Sequence, residues 1–162
     1  MKRKFRLYLD TSVWVRLADR ARWVERRATY HFLNRSCQGH EVLISPLVAV
    51  EVNRTPDPEE RRTILRQIAK DRREEITGRA WAQRFAGLLT EVGGFGPRML
   101  ADLTHVGYAV LGNADAIVTW DRRTLARDKV RRTVHAVCRR EGLEVPLIGR
   151  PEEIVEWLGL RI

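Results

Sequence analysis

Short apolar runs alternate along this chain with segments of helical periodicity, and this alternation constrains the fold more than any other feature. The runs occupy residues 6–9, 42–45, 116–120 and 145–148. Runs of this length without regular polar positions are typical of strands buried on both faces of a parallel sheet. Parallel neighbours need a crossover between them, and the helical segments supply it. We therefore predict an α/β fold, a three-layer α/β/α sandwich with a central parallel sheet.

The spacing of apolar and charged residues between these runs predicts the helices. Pro46 and Pro58 each open a helix at its first turn. Further helices are expected over residues 13–18, 21–37, 80–92, 98–111, 122–140 and 151–157, and a short polar edge strand over residues 74–77. We expect Thr11 or Ser12 to cap the first of these helices and Val24 to face the core from the second.

The length and composition of the chain limit its class. A chain of 162 residues fits one domain over residues 1–162, with one sizeable core. Its 44% hydrophobic and 31% charged residues exclude wholesale disorder. The basic start resembles the first part of a signal peptide, but Asp10 and Arg16 interrupt the apolar stretch that follows it. Because no apolar run reaches about 18 residues, we expect no membrane span and a cytoplasmic protein.

Basic residues outnumber acidic ones, which gives a net charge of +9. A positive balance of this size favours a polyanionic partner, either nucleic acid or an acidic protein. Of the 30 basic residues, 26 are Arg and 4 are Lys. Arg binds phosphate through two hydrogen bonds and stacks on bases, so the bias suits nucleic acid, although the base composition of a genome produces the same bias. The net charge is the firmer indication.

Cysteines and histidines give little support to a zinc site. Cys37 and Cys138 stand far apart without a CxxC spacing, which favours buried thiols in a reducing compartment. The four His residues form no HxH or HExxH pair. We expect His105 to be a hydrogen-bonded histidine on the inner side of its helix and not a metal ligand.

Acidic residues follow the predicted strands. Asp10 and Asp121 come directly after two of the apolar runs, and Glu51 follows another by less than two helical turns. Asp102 lies on the helix that precedes the strand ending at Asp121. In an open parallel sheet, ligands bind at the carboxyl ends of the strands. The sequence therefore predicts a cluster of carboxylates at one edge of the sheet.

A cluster of this kind suits divalent cations. Mg²⁺ and Mn²⁺ prefer carboxylate and water oxygens as ligands, and several carboxylates without a cation repel one another. In phosphodiester hydrolysis such a metal orients a water, lowers its pKa and neutralises charge on the phosphate. A basic surface around an acidic pit can hold the backbone of a nucleic acid over the metal. These residues indicate metal-dependent phosphodiester chemistry on a polyanion.

Each acidic residue also has a simpler interpretation. Asp10 and Asp121 precede helices and can act only as N-caps, and Glu51 can be a solvated carboxylate on its helix. The apolar neighbours of Glu51 argue against the last of these. Asp115 lies at the opposite end of its strand from Asp121, about 17 Å away if the chain is fully extended, and is typical of a turn or a strand entry.

Taken in order, four segments resemble the motifs of the PIN-domain superfamily of nucleases, in particular the VapC-type toxins. The segments are Leu9-Asp10-Thr11-Ser12, then Ile44-Ser45-Pro46 with Val50-Glu51-Val52, then Ala101-Asp102 to Ala109, and Ala114-Asp115 to Thr119-Trp120-Asp121. Their order and spacing cover the chain from about Arg6 to Trp157. Gly107 stands where the family often has Ala, a local change that should leave the site intact.

The resemblance implies Mg²⁺ or Mn²⁺ as cofactor and endonucleolytic cleavage of RNA. It matches Asp10, Glu51 and Asp102 to the family's first three acidic positions and Asp121 to a fourth that varies. Asp115 matches a frequent acidic position of less uniform role and is expected at most to support the site from its edge. Small hydroxyl residues are expected to hold water or orient the carboxylates, and these are Thr11, Ser12 and Thr119. The resemblance also implies a homodimer and a protein antitoxin.

Taken with this resemblance, the sequence predicts a metal-dependent endoribonuclease that is the toxin of a type II toxin–antitoxin system. Asp10, Asp102 and Asp121 would bind metal, and Glu51 would complete the site and help orient the attacking water. A different class is a catalytically silent PIN-fold module that binds RNA in a salt-dependent manner. A flap-type DNA nuclease shares the fold, but such enzymes usually carry added helical arches, and a chain of 162 residues leaves little space for them. The RNA substrate and the number of metal ions stay open.

Overall fold

A computed structural model describes residues 3–159 of the chain. The strands are β1 (Arg6–Leu9), β2 (Glu41–Ile44), β3 (Glu74–Glu75), β4 (Ala116–Val118) and β5 (Leu147–Gly149). They form one sheet in the order β3-β2-β1-β4-β5, and every neighbouring pair is parallel. The helices are α1 (Thr11–Arg16), α2 (Trp23–His31), α3 (Pro46–Val52), α4 (Pro58–Asp71), α5 (Arg79–Gly93), α6 (Leu100–Leu111), α7 (Asp128–Arg140) and α8 (Pro151–Gly159).

Helices cover both faces of the sheet, and the central strand β1 contributes to both cores. Leu7 and Leu9 pack on one face with residues of α1, α3, α4 and α8, whereas Tyr8 packs on the other face with residues of α5, α6 and α7. All three side chains are fully buried, and burying each of them stabilises the fold by about 2 kcal/mol. The predicted three-layer α/β/α sandwich with a central parallel sheet is confirmed. Within residues 3–159, no helix combines the length and the apolar character that a membrane span requires.

The helical segment predicted over residues 21–37 is present over residues 23–36, but it is not α-helical throughout and one predicted inward residue is exposed. Helix α2 ends at His31 and continues as a π-helical turn over Phe32–Ser36. Trp23 and Val24 are 63% and 61% exposed, because the buried side of this helix begins only at Thr29. The prediction that Val24 faces the core is therefore incorrect.

Two other local predictions change at the ends of helices. Asp10, and not Thr11 or Ser12, occupies the N-cap position of α1, although its side chain makes no capping hydrogen bond. Residues 122–127 form turns, and α7 begins only at Asp128, later than predicted. By contrast, the helices that begin at Pro46 and Pro58 and the polar edge strand β3 lie where the sequence predicts them.

A close approach of two helices fixes the position of α6. A Cβ atom built on Gly107 would lie 2.4 Å from the carbonyl oxygen of Ala82 on α5, which is closer than atoms in contact can be. Only glycine allows the two backbones to approach this closely. Because α6 carries Asp102 and His105, this contact also sets the distance of the two side chains from the sheet.

Candidate active site

Asp10 lies at the carboxyl end of β1 and is 4% exposed. Its Oδ1 accepts a hydrogen bond from Ser12 Oγ at 2.5 Å, and its Oδ2 accepts one from Thr119 Oγ1 at 2.6 Å. In the described part of the chain, its side chain caps no backbone N–H of α1. The carboxylate is therefore held by hydroxyl groups on two different elements, and the simple helix-cap interpretation does not apply to it.

The two hydroxyl groups that hold Asp10 are themselves fixed. Ser12 Oγ accepts from the backbone N–H of Trp120 at 2.8 Å, and Thr119 Oγ1 accepts from the backbone N–H of Asp121 at 3.0 Å. Since each hydroxyl accepts from a backbone donor, its proton is free to point at the Asp10 carboxylate. The chain after β4 is thereby tied to the end of β1, the neighbouring strand.

Asp121 is half-buried and caps the turn that follows it. Its Oδ1 accepts from the backbone N–H groups of Arg123 and Thr124, each at 3.0 Å, and its Oδ2 accepts from the Thr124 hydroxyl. Asp121 therefore acts as a cap, as the sequence allows, but on a turn and not on the next helix. A carboxylate oxygen has two lone pairs, so these bonds leave Asp121 able to accept a further ligand.

Glu51 on α3 is paired with a buried histidine. His105 Nε2 lies 3.1 Å from Glu51 Oε1, and the histidine is 2% exposed. Burial acts to raise the pKa of Glu51, but the hydrogen bond and the charge of His105 outweigh it, so the pKa lies below its usual value. The Thr11 hydroxyl lies near enough to lower that pKa further, yet among the described residues it has no hydrogen-bond partner of sound geometry. Glu51 is ionised at neutral pH, and a buried hydroxyl beside it is unpaired.

Asp102 lies on the first turn of α6 and is half-buried. Burial, followed by the negative charges of Asp121, Asp10 and Glu51, raises its pKa to about 6, while His105 opposes this rise. Burial and the charge of Asp121 also raise the pKa of Asp10. These mutual effects show that the fold brings the four predicted carboxylates within electrostatic reach of one another.

Asp115 is not brought to this cluster. It precedes β4, at the amino ends of the strands and away from the cluster. There its Oδ2 accepts from the backbone N–H of Arg6 at 2.8 Å, and its Oδ1 binds Arg3 at 3.0 Å. The prediction that Asp115 supports the site is therefore corrected: its side chain holds the start of β1 and the end of the loop before β4.

The chemistry of the carboxylates fits a hard divalent cation. All four carry oxygen ligands, and the unpaired Thr11 hydroxyl can bind a water ligand. Burial is the main cause of the raised pKa of Asp102, and the neighbouring carboxylates add a repulsion that a cation would offset. However, among residues 3–159 no three Asp, Glu, His or Cys side chains lie close enough together to hold one ion. A metal would therefore require side-chain rotation, for which the half-buried Glu51, Asp102 and Asp121 have room.

Tyr8 and Ser45 also contribute to the site, and the sequence did not indicate a functional role for either of them. Tyr8 OH lies 2.8 Å from His105 Nδ1 and 2.7 Å from Ser45 Oγ, and all three side chains are buried. His105 is thus the hydrogen-bonded internal histidine predicted from the sequence. The available signal was a tyrosine inside a buried strand, because a buried phenol needs a hydrogen-bond partner.

An arginine-lined cavity of about 490 Å³ adjoins the cluster. Ser12 and Asp121 belong to its wall, together with the exposed side chains of Arg22, Arg122 and Arg123. Its wall also contains Arg16 and Glu25, which form an ion pair at 2.9 Å, and Trp120. This cavity will be called the arginine pocket. It places positive charge directly beside the carboxylates.

Comparisons with known proteins show similarity at the level of structure. No family model and no curated protein sequence matches the chain. It is similar to a chain in the crystal structure of VapBC2 from Rickettsia felis bound to a DNA fragment from their promoter, with a TM-score of 0.56 and 16% identity over 90% of this chain and 98% of that one. It is also similar to a chain in the crystal structure of DNA-bound VapBC from Salmonella typhimurium, with a TM-score of 0.52 and 14% identity over 91% and 98%. The protein has a PIN-like α/β fold, which it shares with components of VapBC complexes.

Proposed function

We propose that this protein is a metal-dependent endoribonuclease and the toxin of a type II toxin–antitoxin pair. The observation that carries the proposal is the electrostatic coupling of Asp10, Glu51, Asp102 and Asp121, which come from four separate elements of a PIN-like fold. A stable fold gains nothing from gathering like charges. The arrangement is understandable if a divalent cation and a substrate phosphate are bound there.

The cofactor we propose is Mg²⁺ or Mn²⁺, held by Asp10, Asp102, Asp121 and Glu51. When bound, such an ion would lower the pKa of a water and neutralise charge on the scissile phosphate. Asp10 is the most buried of the four, and both of its oxygens accept hydroxyl hydrogen bonds. Ser12 and Thr119 therefore orient the site through Asp10.

The other carboxylates have distinct tasks in this proposal. Glu51, whose pKa is lowered, is an ionised acceptor that can orient the attacking water. The Thr11 hydroxyl can hold the same water or its neighbour. Asp102, whose pKa is about 6, changes its charge close to neutral pH and is the group most sensitive to a bound cation.

The substrate we propose is RNA, held partly in the arginine pocket. The net charge of +9 favours a polyanion, and Arg22, Arg122 and Arg123 line a cavity that adjoins Asp121. A phosphate next to the scissile one can be bound there while the carboxylates face the scissile bond.

The partner we propose is a protein antitoxin. Support comes from the two similar structures, which are VapBC complexes bound to DNA. A homodimer also stays a prediction, and light scattering on the purified 18.8 kDa chain would measure its oligomeric state. A short upstream reading frame for a DNA-binding protein would support the toxin assignment independently of any assay of activity.

Cleavage of RNA in the presence of Mn²⁺ tests the proposed activity. Asp10→Asn and Asp102→Asn should each abolish cleavage, because each removes a charged oxygen ligand. Asp128→Asn is the matched control, since Asp128 is exposed at the start of α7 and should leave cleavage unchanged. Full activity of Asp10→Asn and Asp102→Asn would contradict the proposal.

A catalytically silent RNA-binding module is the second candidate. It is favoured by the finding that, within residues 3–159, no three possible ligands are grouped around one point. This candidate predicts RNA binding that weakens with salt and no cleavage with any divalent ion. Measuring binding and cleavage on the same RNA separates the two candidates.

A further inference from the structure

A continuous chain of buried hydrogen bonds leads from the sheet to Glu51. Ser45 Oγ lies 2.7 Å from Tyr8 OH, Tyr8 OH lies 2.8 Å from His105 Nδ1, and His105 Nε2 lies 3.1 Å from Glu51 Oε1. Ser45, Tyr8 and His105 are 0%, 0% and 2% exposed. The chain joins the end of β2, the middle of β1, the core of α6 and the last turns of α3.

The hydrogen-bond partners of His105 require that its Nε2 carries a proton. An ionised Glu51 can only accept hydrogen bonds, so the contact at 3.1 Å requires a proton on His105 Nε2. On the other side of the ring, Tyr8 OH fills the space at Nδ1 and is itself held by Ser45. A ring with a partner on each nitrogen cannot flip without breaking two buried hydrogen bonds.

We propose that His105 is a positioning residue that aims Glu51 at the acidic cluster, with its own ring held in place by Tyr8 and Ser45. This inference rests on the proposed function of the same site. Glu51 is repelled by Asp102, and its side chain is 25% exposed, so without a donor it would turn towards water. His105 supplies that donor from inside the protein.

The electrostatic surroundings support the assignment. The charge of His105 acts to lower the pKa of Glu51, Asp10 and Asp102. The ring therefore lies within electrostatic reach of three of the four carboxylates, although it is not expected to bind metal. A histidine that only filled the core would have no reason to share a hydrogen bond with the carboxylate of the site.

Nitrogen-15 NMR of the imidazole ring tests the geometry without any assay of activity. Long-range ¹⁵N–¹H spectra of the free wild-type protein should show a proton on His105 Nε2, in a neutral ring or in an imidazolium. An Nε2 without a proton would overturn the proposal. The result does not depend on RNA cleavage, so it separates this inference from the proposed function.

A pair of substitutions tests the consequence for the site. His105→Gln places an amide N–H close to the position of Nε2, whereas His105→Asn reaches only towards Tyr8 and leaves Glu51 without its donor. We expect His105→Asn to lose about 10–100-fold in Mn²⁺ affinity and in cleavage, and His105→Gln to recover most of both. Equal Mn²⁺ affinities for the two folded variants would overturn the proposal. If wild-type protein binds Mn²⁺ but does not cleave RNA, the proposed function fails while the positioning role is still measured.

Discussion

Thr119 donates a hydrogen bond to Asp10 across the ends of two neighbouring parallel strands, with 2.6 Å between Thr119 Oγ1 and Asp10 Oδ2. The same hydroxyl accepts from the backbone N–H of Asp121 at 3.0 Å. One side chain therefore connects two of the proposed metal ligands. The alignment of the carboxylates depends on a residue that carries no charge.

Replacing this hydroxyl should weaken metal binding. Thr119→Val keeps the shape of the side chain but removes the donor to Asp10 Oδ2, so the Asp10 carboxylate should be harder to ionise and less well oriented. We expect the apparent Kd for Mn²⁺ to rise about tenfold, as measured by calorimetry. Thr133→Val is the control, because Thr133 is also buried but bonds only within α7, to the Lys129 carbonyl. Equal affinities in the two variants would refute the role given to Thr119.

Removing the charge of Asp102 should stabilise the metal-free protein. Because its pKa is raised to about 6, folded protein binds more protons than unfolded protein between about pH 4 and 6, so stability falls as the pH rises through this range. Asp102→Asn should remove this loss and gain about 1 kcal/mol in unfolding free energy at pH 7, a value reduced for solvent screening of a half-buried group. Urea unfolding at pH 7 and at pH 3.5 checks this, since the gain should vanish at the lower pH. A variant less stable than wild type at pH 7 would contradict it.

The close contact between α5 and α6 predicts opposite effects for two glycines. Gly107→Ala should destabilise the protein by about 1–3 kcal/mol, because the new methyl group meets the Ala82 carbonyl. Gly87→Ala lies on the exposed side of α5 with no atom within 4 Å of the new Cβ, so it should stabilise by about 0.5–1 kcal/mol. Thermal unfolding of both variants measures the difference. Similar shifts in the same direction would show that α6 does not need glycine at this position.

The arginine pocket should contribute to the salt dependence of RNA binding. Each phosphate contact that is lost should reduce the slope of log affinity against log salt by about 0.7 on single-stranded RNA. We expect this for the double variant that combines Arg122→Ala with Arg123→Ala, since both residues lie beside Asp121. Arg139→Ala with Arg140→Ala removes the same charge at the far end of α7 and should leave the slope nearly unchanged. Equal slopes for the two double variants would place the RNA elsewhere.

The order of strands and helices was predictable because it rests on local patterns. Apolar runs without polar alternation identify buried parallel strands, and Pro46 and Pro58 mark helix starts by their fixed geometry. Asp10 and Asp121 were predictable for the same reason, since each directly follows a run that can be recognised. The exposure of Val24 was not predictable, because Val24 fits the helical period but lies beyond the surface that α2 buries.

The hydrogen-bond partners inside the site could not be predicted from local patterns. Tyr8 and His105 are separated by 97 positions and meet only because β1 lies beneath α6. A supporting role for Asp115 rested on the motif match alone, whereas its position before β4 already indicated the opposite end of the strand. Asp121 can both cap the turn that follows it and bind a metal, and sequence patterns alone do not separate these two roles.

We propose that the carboxylates at the ends of β1 and β4, with those on α3 and α6, form a divalent-metal site. Calorimetric titration of Mn²⁺ into the RNA-free protein at pH 7.5, with wild type and Asp10→Asn side by side, tests this most directly. We predict saturable binding to wild type and at least a tenfold loss of affinity in Asp10→Asn. Absence of Mn²⁺ binding to wild type, or equal binding by both proteins, would contradict the claim.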